Sequence, residues 1–202
     1  MAMPIPERPE GYLFKASPNA TVRIDVFEDL LCSACREFDP IFKTFLKTYQ
    51  HEGAPITDFV EVYTHVFPLP YHHNAFFVSR LAPYIYDKTG CGGAVNEFAS
   101  WTFENQDEWL SGGASNLTEP EILESICTEF SGEFSEYGFA KSECLSAIKD
   151  IKYEMRTRTS WKYATSLGVN GTPTVFVNGV ELTNAPFSEQ DWESFVQQYL
   201  PK

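Results

Sequence analysis

The feature that most constrains this chain is a pair of cysteines, Cys32-Ser33-Ala34-Cys35, at the joint between two different periodicities. Upstream, Thr21-Val22-Arg23-Ile24-Asp25-Val26-Phe27 is rich in β-branched and aromatic residues and alternates polar with apolar, as a strand does. Downstream, Phe38, Ile41, Phe42, Phe45, Leu46 and Tyr49 recur at steps of three and four, so a helix with one apolar stripe runs to about Gln50. The cysteines therefore stand where a strand hands over to a helix. First-turn N–H groups lack intrahelical acceptors and, with the macrodipole, favour negative charge, which lowers the pKa of a thiol placed there. The two-residue spacing lets a second thiol resolve a mixed disulfide, so Cys32 is the expected attacker and Cys35 the expected resolver. A structural disulfide or half of a metal site would use the same residues.

A second stretch lies more than a hundred residues on. Gly168-Val169-Asn170-Gly171-Thr172-Pro173-Thr174-Val175-Phe176-Val177-Asn178-Gly179 reads as a loop, a short apolar strand and an Asn-Gly hairpin turn, with Val180 to Leu182 as the returning strand. Taken together, the strand, C-x-x-C and helix, Asp29, Pro40, Phe67-Pro68-Leu69 and this Gly-Thr-Pro-Thr segment resemble the thioredoxin superfamily, most closely its DsbA-like thiol-disulfide oxidoreductases. The resemblance runs from about Val22 to Asn178 and implies an α/β thioredoxin-like fold, a central mixed sheet flanked by helices, with a helical insertion subdomain. It implies a cis Pro173 beside the cysteines and a backbone at Thr172 and Pro173 that pairs with a substrate chain. It also implies that the insertion helps shape a substrate groove.

Departures from that family are visible too. Many relatives carry Pro and then His or Tyr between the cysteines, where this chain has Ser33 and Ala34, the residues expected to tune the redox pair; the missing His predicts a milder oxidant. Relatives often place a buried acid six residues before the first cysteine to handle the proton of the second thiol. Here that position is Val26, and Asp25 faces the other way, leaving the proton to water or to another group. Glu28 and Asp29 are read as ending the strand in solvent; near Cys32 they would raise its pKa.

The remaining chain divides into an N-terminal arm (1–20), a first thioredoxin half (21–67), the helical insertion (68–167) and a second half (168–202) of one compact unit. Gly11-Tyr12-Leu13-Phe14 suits a short edge strand. Phe59 to Phe67 carries apolar residues on both faces and suits an internal strand parallel to the first. The insertion shows only helical patterns: one from Asn74 through Asp87, one from Val95 to about Trp109, one opened by the capping box Thr118-Glu119-Pro120-Glu121, and a long one begun by Leu145, Ile148, Ile151 or Lys152, and Met155 and carried on toward Leu167. Ser188-Glu189-Gln190-Asp191 is a second capping box, opening a last helix with Trp192, Phe195, Val196, Tyr199 and Leu200 as its stripe.

With 17 Phe, 10 Tyr and 4 Trp in 202 residues, the chain can bury a core without cross-links. Cys91, Cys127 and Cys144 are then either buried thiols or include one disulfide, Cys127 with Cys144, both near helix boundaries; the odd total leaves at least one thiol unpaired. His72 and His73 could join Cys32 and Cys35 around zinc, but adjacent side chains diverge, so no metal and no other cofactor is expected; His65 is read as a satisfied sheet residue. A net charge of −13 excludes nucleic acid and anionic membrane as partners, and no apolar run is long enough to span a membrane. The start, Met1 to Pro9, has no signal-like apolar segment, and the N-x-T triplets at Asn19, Asn116 and Asn170 speak weakly of location.

The expected function is thiol-disulfide exchange with protein or peptide thiols and disulfides, as oxidase or isomerase rather than reductase, served by a redox recycling partner. An extracytoplasmic or secretory compartment is favoured, with the cytoplasm as the alternative. The rival reading is a non-enzymatic thioredoxin-fold binding module with a structural C-x-x-C disulfide.

Overall fold

A computed structural model describes residues 5, 6, 8–110, 114, 116–186 and 188–201; residues 1–4 and 7 of the expected N-terminal arm lie outside them. In chain order the elements are β1 (Tyr12–Leu13), β2 (Val22–Glu28), α1 (Ser33–Thr48), β3 (Gln50–His51), β4 (Ala54–Pro55), β5 (Val60–Val66), α2 (Ala75–Ser79), α3 (Leu81–Thr89), α4 (Gly92–Asn105), α5 (Glu119–Glu133), α6 (Lys141–Ala147), α7 (Ile151–Ser166), β6 (Thr174–Val177), β7 (Val180–Glu181) and α8 (Glu189–Val196). Five strands form one mixed sheet in the order β1-β5-β2-β6-β7, and β3 pairs with β4 as a separate small hairpin. The pairing of β2 with β5 is parallel and that of β2 with β6 antiparallel, so the strand preceding the cysteines lies at the sheet centre.

Parity along β2 sorts its side chains. Val22, Ile24 and Val26 pack with Phe38, Phe42, Phe45 and Trp192 beneath α1 and α8, while Phe27 packs on the opposite face with Phe67, Val169 and Phe176. A third and larger core fills the insertion and reaches Leu30, Leu31, Cys32 and Cys35, so the C-x-x-C segment sits on the seam between the insertion and the sheet. The insertion is fastened closely at one edge: a Cβ on Gly92 would lie 2.1 Å from the Leu13 carbonyl oxygen, so only glycine lets α4 start against β1.

Local signals account for most ends. The Glu121 carboxylate accepts from both the N–H and the hydroxyl of Thr118, opening α5, and the Ser188 hydroxyl accepts from the Asp191 N–H, opening α8. At the β6–β7 turn, Asn178 and Gly179 take φ of 50° and 81°, the left-handed pair that a two-residue hairpin requires. Two expected helices are broken. The run from Asn74 to Asp87 splits at Arg80, because Pro83 has no N–H for the Ser79 carbonyl and its ring crowds that group. Asn74 caps nothing there; its amide donates to the Trp109 carbonyl. The run from Leu145 to Leu167 splits before Asp150, which is extended and accepts from the Lys152 N–H to start α7. Of the apolar residues that begin this run, Ile148 is buried, while Ile151 and Met155 are 64% and 45% exposed. The helix expected to reach Trp109 ends at Asn105 and continues as a 3₁₀ turn.

Candidate active site

Cys32 is the N-cap of α1, and the helix begins at Ser33. Both cysteines are free thiols; Cys35 is fully buried, Cys32 is 7% exposed, and Ser33 and Ala34 face solvent. The Thr172–Pro173 peptide is cis, and the Cys32 thiol donates to the Thr172 carbonyl oxygen at 3.5 Å across 140 residues of sequence. The two stretches separated in sequence thus meet at one helix end.

The two thiols have opposite chemistry. A hydrogen bond from the Cys35 thiol is the largest influence on Cys32; helped by the Thr172 hydroxyl and by the N–H groups of Cys35 and Ala34, it overcomes burial and brings Cys32 down to about 5. No histidine takes part in that lowering. Burial, the bond it gives to Cys32 and the Glu28 carboxyl push Cys35 well above the ordinary thiol value. At neutral pH this favours an anion at the barely exposed Cys32 and a protonated thiol at the fully buried Cys35.

Glu28 and Asp29 correct the solvent reading, being only 4% and 0% exposed. Glu28 shares the inward face of β2 with Val26, two residues further on, and so stands under α1. Burial first, and then the charge of Asp39, raise it to about 8 against the partial relief of Lys43. It is therefore mostly protonated at neutral pH and does not oppose the Cys32 thiolate. Asp39 and Lys43 pair at 3.1 Å and are held by α4, where Ser100 donates to Asp39 at 2.8 Å and Lys43 donates to the Asn96 carbonyl at 2.8 Å. The family resemblance puts the buried acid at the position of Val26; the parity of the strand points equally to Glu28.

Asp29 works as a brace. Its carboxylate accepts from the Leu31 N–H at 2.8 Å, from the Leu69 N–H at 2.6 Å and bonds His72 Nδ1 at 2.8 Å, joining the turn before Cys32 to the loop after β5. Burial lifts its pKa and these donors oppose the rise. Gln106, wholly buried at the start of the 3₁₀ turn after α4, donates to the carbonyls of Leu30 and Cys32 at 3.3 Å and holds the same turn from the insertion side.

Over residues 13–198 the sequence matches the family model described as thioredoxin. The chain belongs to the thioredoxin family. No curated protein matches it. The fold of this thioredoxin-family protein is that of DsbA-like structures. It matches Wolbachia pipientis alpha-DsbA1 with a TM-score of 0.71 at 16% identity, covering 95% of this chain and 92% of that one. It matches Chlamydia trachomatis DsbA at 0.70 and 15%, covering 96% and 93%. A protein-disulfide isomerase from Novosphingobium aromaticivorans matches at 0.66 and 16%, covering 95% and 97%.

Around this thioredoxin-family centre the other singled-out residues take different places. His72 turns to Asp29, His73 lines a neighbouring groove, and among the described residues no three His, Cys, Asp or Glu side chains are grouped to hold a metal ion. His65 is buried with Nε2 on Asp25 Oδ1 at 2.8 Å, but its Nδ1 has no partner, so the expected sheet residue is only half satisfied. Asp25, which burial would raise, is held below the usual carboxylate range by Arg23 and His65, on the face away from the cysteines. The groove, of about 740 Å³, runs between Pro68, Leu69 and Pro70 on one side and Met155 and Trp161 of α7 on the other, with Arg158 and Lys162 at its rim. In the insertion Cys127 and Cys144 form a disulfide between α5 and α6, and Cys91 is an exposed free thiol. No helix among the described residues is long and apolar enough to cross a membrane.

Proposed function

We propose that the protein is a thiol-disulfide oxidoreductase acting on protein or peptide substrates through Cys32 and Cys35, with Cys32 the nucleophile and Cys35 the resolving residue. The observation that carries the reading is the asymmetry of the pair: a slightly open thiolate at the N-cap of α1 beside Thr172, over a closed, protonated partner. In the oxidising direction a substrate thiolate attacks Cys32 Sγ, the Cys32–Cys35 bond breaks, and Cys35 leaves as a thiolate that takes a proton. A second substrate thiolate then attacks the substrate sulfur of the mixed disulfide and expels Cys32 as the stabilised thiolate. Two electrons pass from two substrate sulfurs to the cysteine pair, and a recycling partner removes them.

Glu28 is the group we assign to the Cys35 proton. It lies on the α1 side of β2, influences the charge of Cys35, and its pKa of about 8 lets it give or take a proton near neutrality. Ser33 and Ala34 tune the pair only by size and polarity, because the donors to Cys32 come from the backbone, Cys35 and Thr172. The carbonyl of Thr172 and the ring of Pro173 form the edge on which a substrate backbone pairs as an added strand. The Cys127–Cys144 disulfide supports an oxidising compartment, and with it an oxidase or isomerase role.

Equilibration with glutathione buffers tests the proposal. A pair that titrates reversibly, at a potential above the roughly −300 mV below which structural disulfides lie, and a protein that speeds disulfide formation in a reduced unfolded chain are the expected results. A bond that stays closed in those buffers and accelerates nothing would instead favour the binding module.

A further inference from the structure

Beside the cysteines, on the side of Pro173 rather than of the large groove, lies a second cavity of about 540 Å³. Its lining is mainly apolar, with Phe38 and Ile41 of α1, Pro173 and Leu182, joined by the polar Thr174, Thr183 and Asn184; Ala34, one residue before Cys35, also lines it. Among the described residues, the ionisable groups lining it are two exposed carboxylates, Glu37 of α1 and Glu181 of β7. Neither takes part in a salt bridge or a side-chain hydrogen bond among the described residues. An apolar floor under an acidic rim fits a side chain with a long methylene stem and a cationic head.

We infer that this cavity takes a lysine or arginine side chain that lies within two residues of the exchanging cysteine in the substrate. The inference rests on the exchange reading above and adds a substrate class to it. A substrate chain paired along Thr172 and Pro173 brings its cysteine to Cys32, and the adjoining side chains fall on either side of the loop. Ala34 is small enough to leave the way from Cys32 to the cavity open; Glu37 and Glu181 then flank the cationic head. The substrate gains in reactivity as well, because a neighbouring cation lowers the pKa of its own cysteine and enlarges the thiolate fraction.

The test uses full-length Cys35→Ser protein and synthetic peptides that differ only in the residue next to their single cysteine, Arg, Lys, Leu or Glu, each capped on sulfur by thionitrobenzoate. Cys32 attacks the peptide sulfur, the Cys32–peptide disulfide forms, the peptide–thionitrobenzoate bond breaks, and the released anion is read by absorbance. The Arg and Lys peptides are expected to react about fivefold faster than the Leu peptide, with the Glu peptide slowest. Glu37→Gln with Glu181→Gln is expected to erase that preference, bringing the Arg and Lys rates down to the rate that the same variant shows with the Leu peptide. Glu133→Gln on α5, outside the cavity, controls for the general attraction of an acidic protein and is expected to keep the preference. Equal rates for Arg and Leu peptides, or a preference that survives the double change, would overturn the cavity assignment while leaving exchange at Cys32 intact. No release from any peptide would overturn both.

Discussion

Two pairs of cysteines in this one chain show what an environment does to the same functional group. Cys127 and Cys144 are fully buried, come from two packed helices of the insertion and are joined. Cys32 and Cys35, with two residues between them at the start of one helix, stand free, and differ in that Cys32 keeps a 7% exposure while Cys35 is closed off. The first pair lies in the apolar core that also holds Ile126, Phe130 and Ile148, and both its sulfurs are closed to solvent, a setting that disfavours a thiolate. The second has helix N–H donors, the Thr172 hydroxyl and a proton-bearing acid within its field. A staple and a candidate reaction centre differ here by access and by hydrogen-bond donors, with the element sulfur in common.

That contrast can be broken most forcefully from the staple's side. Replacing Cys127 and Cys144 together by alanine removes a cross-link with a sequence separation of 17, worth about 3 kcal/mol of stability for a loop of this size. Thermal unfolding is expected to move down by roughly 6–12 °C, with the thiolate titration of Cys32 unchanged. A shift in that titration would show that the two pairs are coupled and the contrast false.

Next in size is Glu28→Gln. Exchange at neutral pH is expected to slow about a hundredfold, the lower end of what a positioned general base contributes, because Cys35 loses its proton partner. Stability should move the other way. The unfolded carboxyl ionises above 4.5 and the folded one near 8, so the native form binds more protons in that window and its stability falls as pH rises through it. The variant is therefore expected to unfold at a higher temperature than the parent at pH 8 and to lose that advantage below pH 4.5. Unchanged kinetics across pH would remove Glu28 from the reaction.

The smallest effect sharpens the comparison from the Cys32 side. Thiolate absorbance of the reduced protein is expected to titrate with a midpoint near 5, and Thr172→Val should raise that midpoint modestly by deleting one of several donors. The depressed pKa favours the reduced form above the unfolded thiol value and ceases to do so as pH falls through 5. A midpoint at the ordinary thiol value would place both pairs in one class.

Local patterns made much of this legible beforehand. The strand before Cys32 and the apolar stripe of α1 follow from neighbouring residues, as do the capped starts of α5 and α8 and the Asn178-Gly179 turn, because each is fixed by contacts within one turn or one hairpin. The breaks at Arg80 and before Asp150 are also written locally, in Pro83 and in Asp150 itself, although the helical periodicity continues on either side of them. Glu28 is the instructive miss. Its parity with Val22, Ile24 and Val26 is in the sequence, yet an acid at a strand end ordinarily meets water, and nothing nearby in sequence says otherwise.

By itself the sequence determined the pieces and their chemistry: a thiol pair at a strand–helix joint, a Gly-Thr-Pro-Thr loop, a helical segment between two halves of a sheet. Tertiary structure alone decided which of those pieces touch. It set Thr172 beside Cys32, closed Glu28 under α1 with Asp39 and Lys43 pinned by α4, and tied Asp29 to the loop after β5. The physical reason is that hydrophobic periodicity reports which face of an element seeks cover, whereas the pKa of a side chain depends on what actually covers it, and that comes from residues scores of positions away.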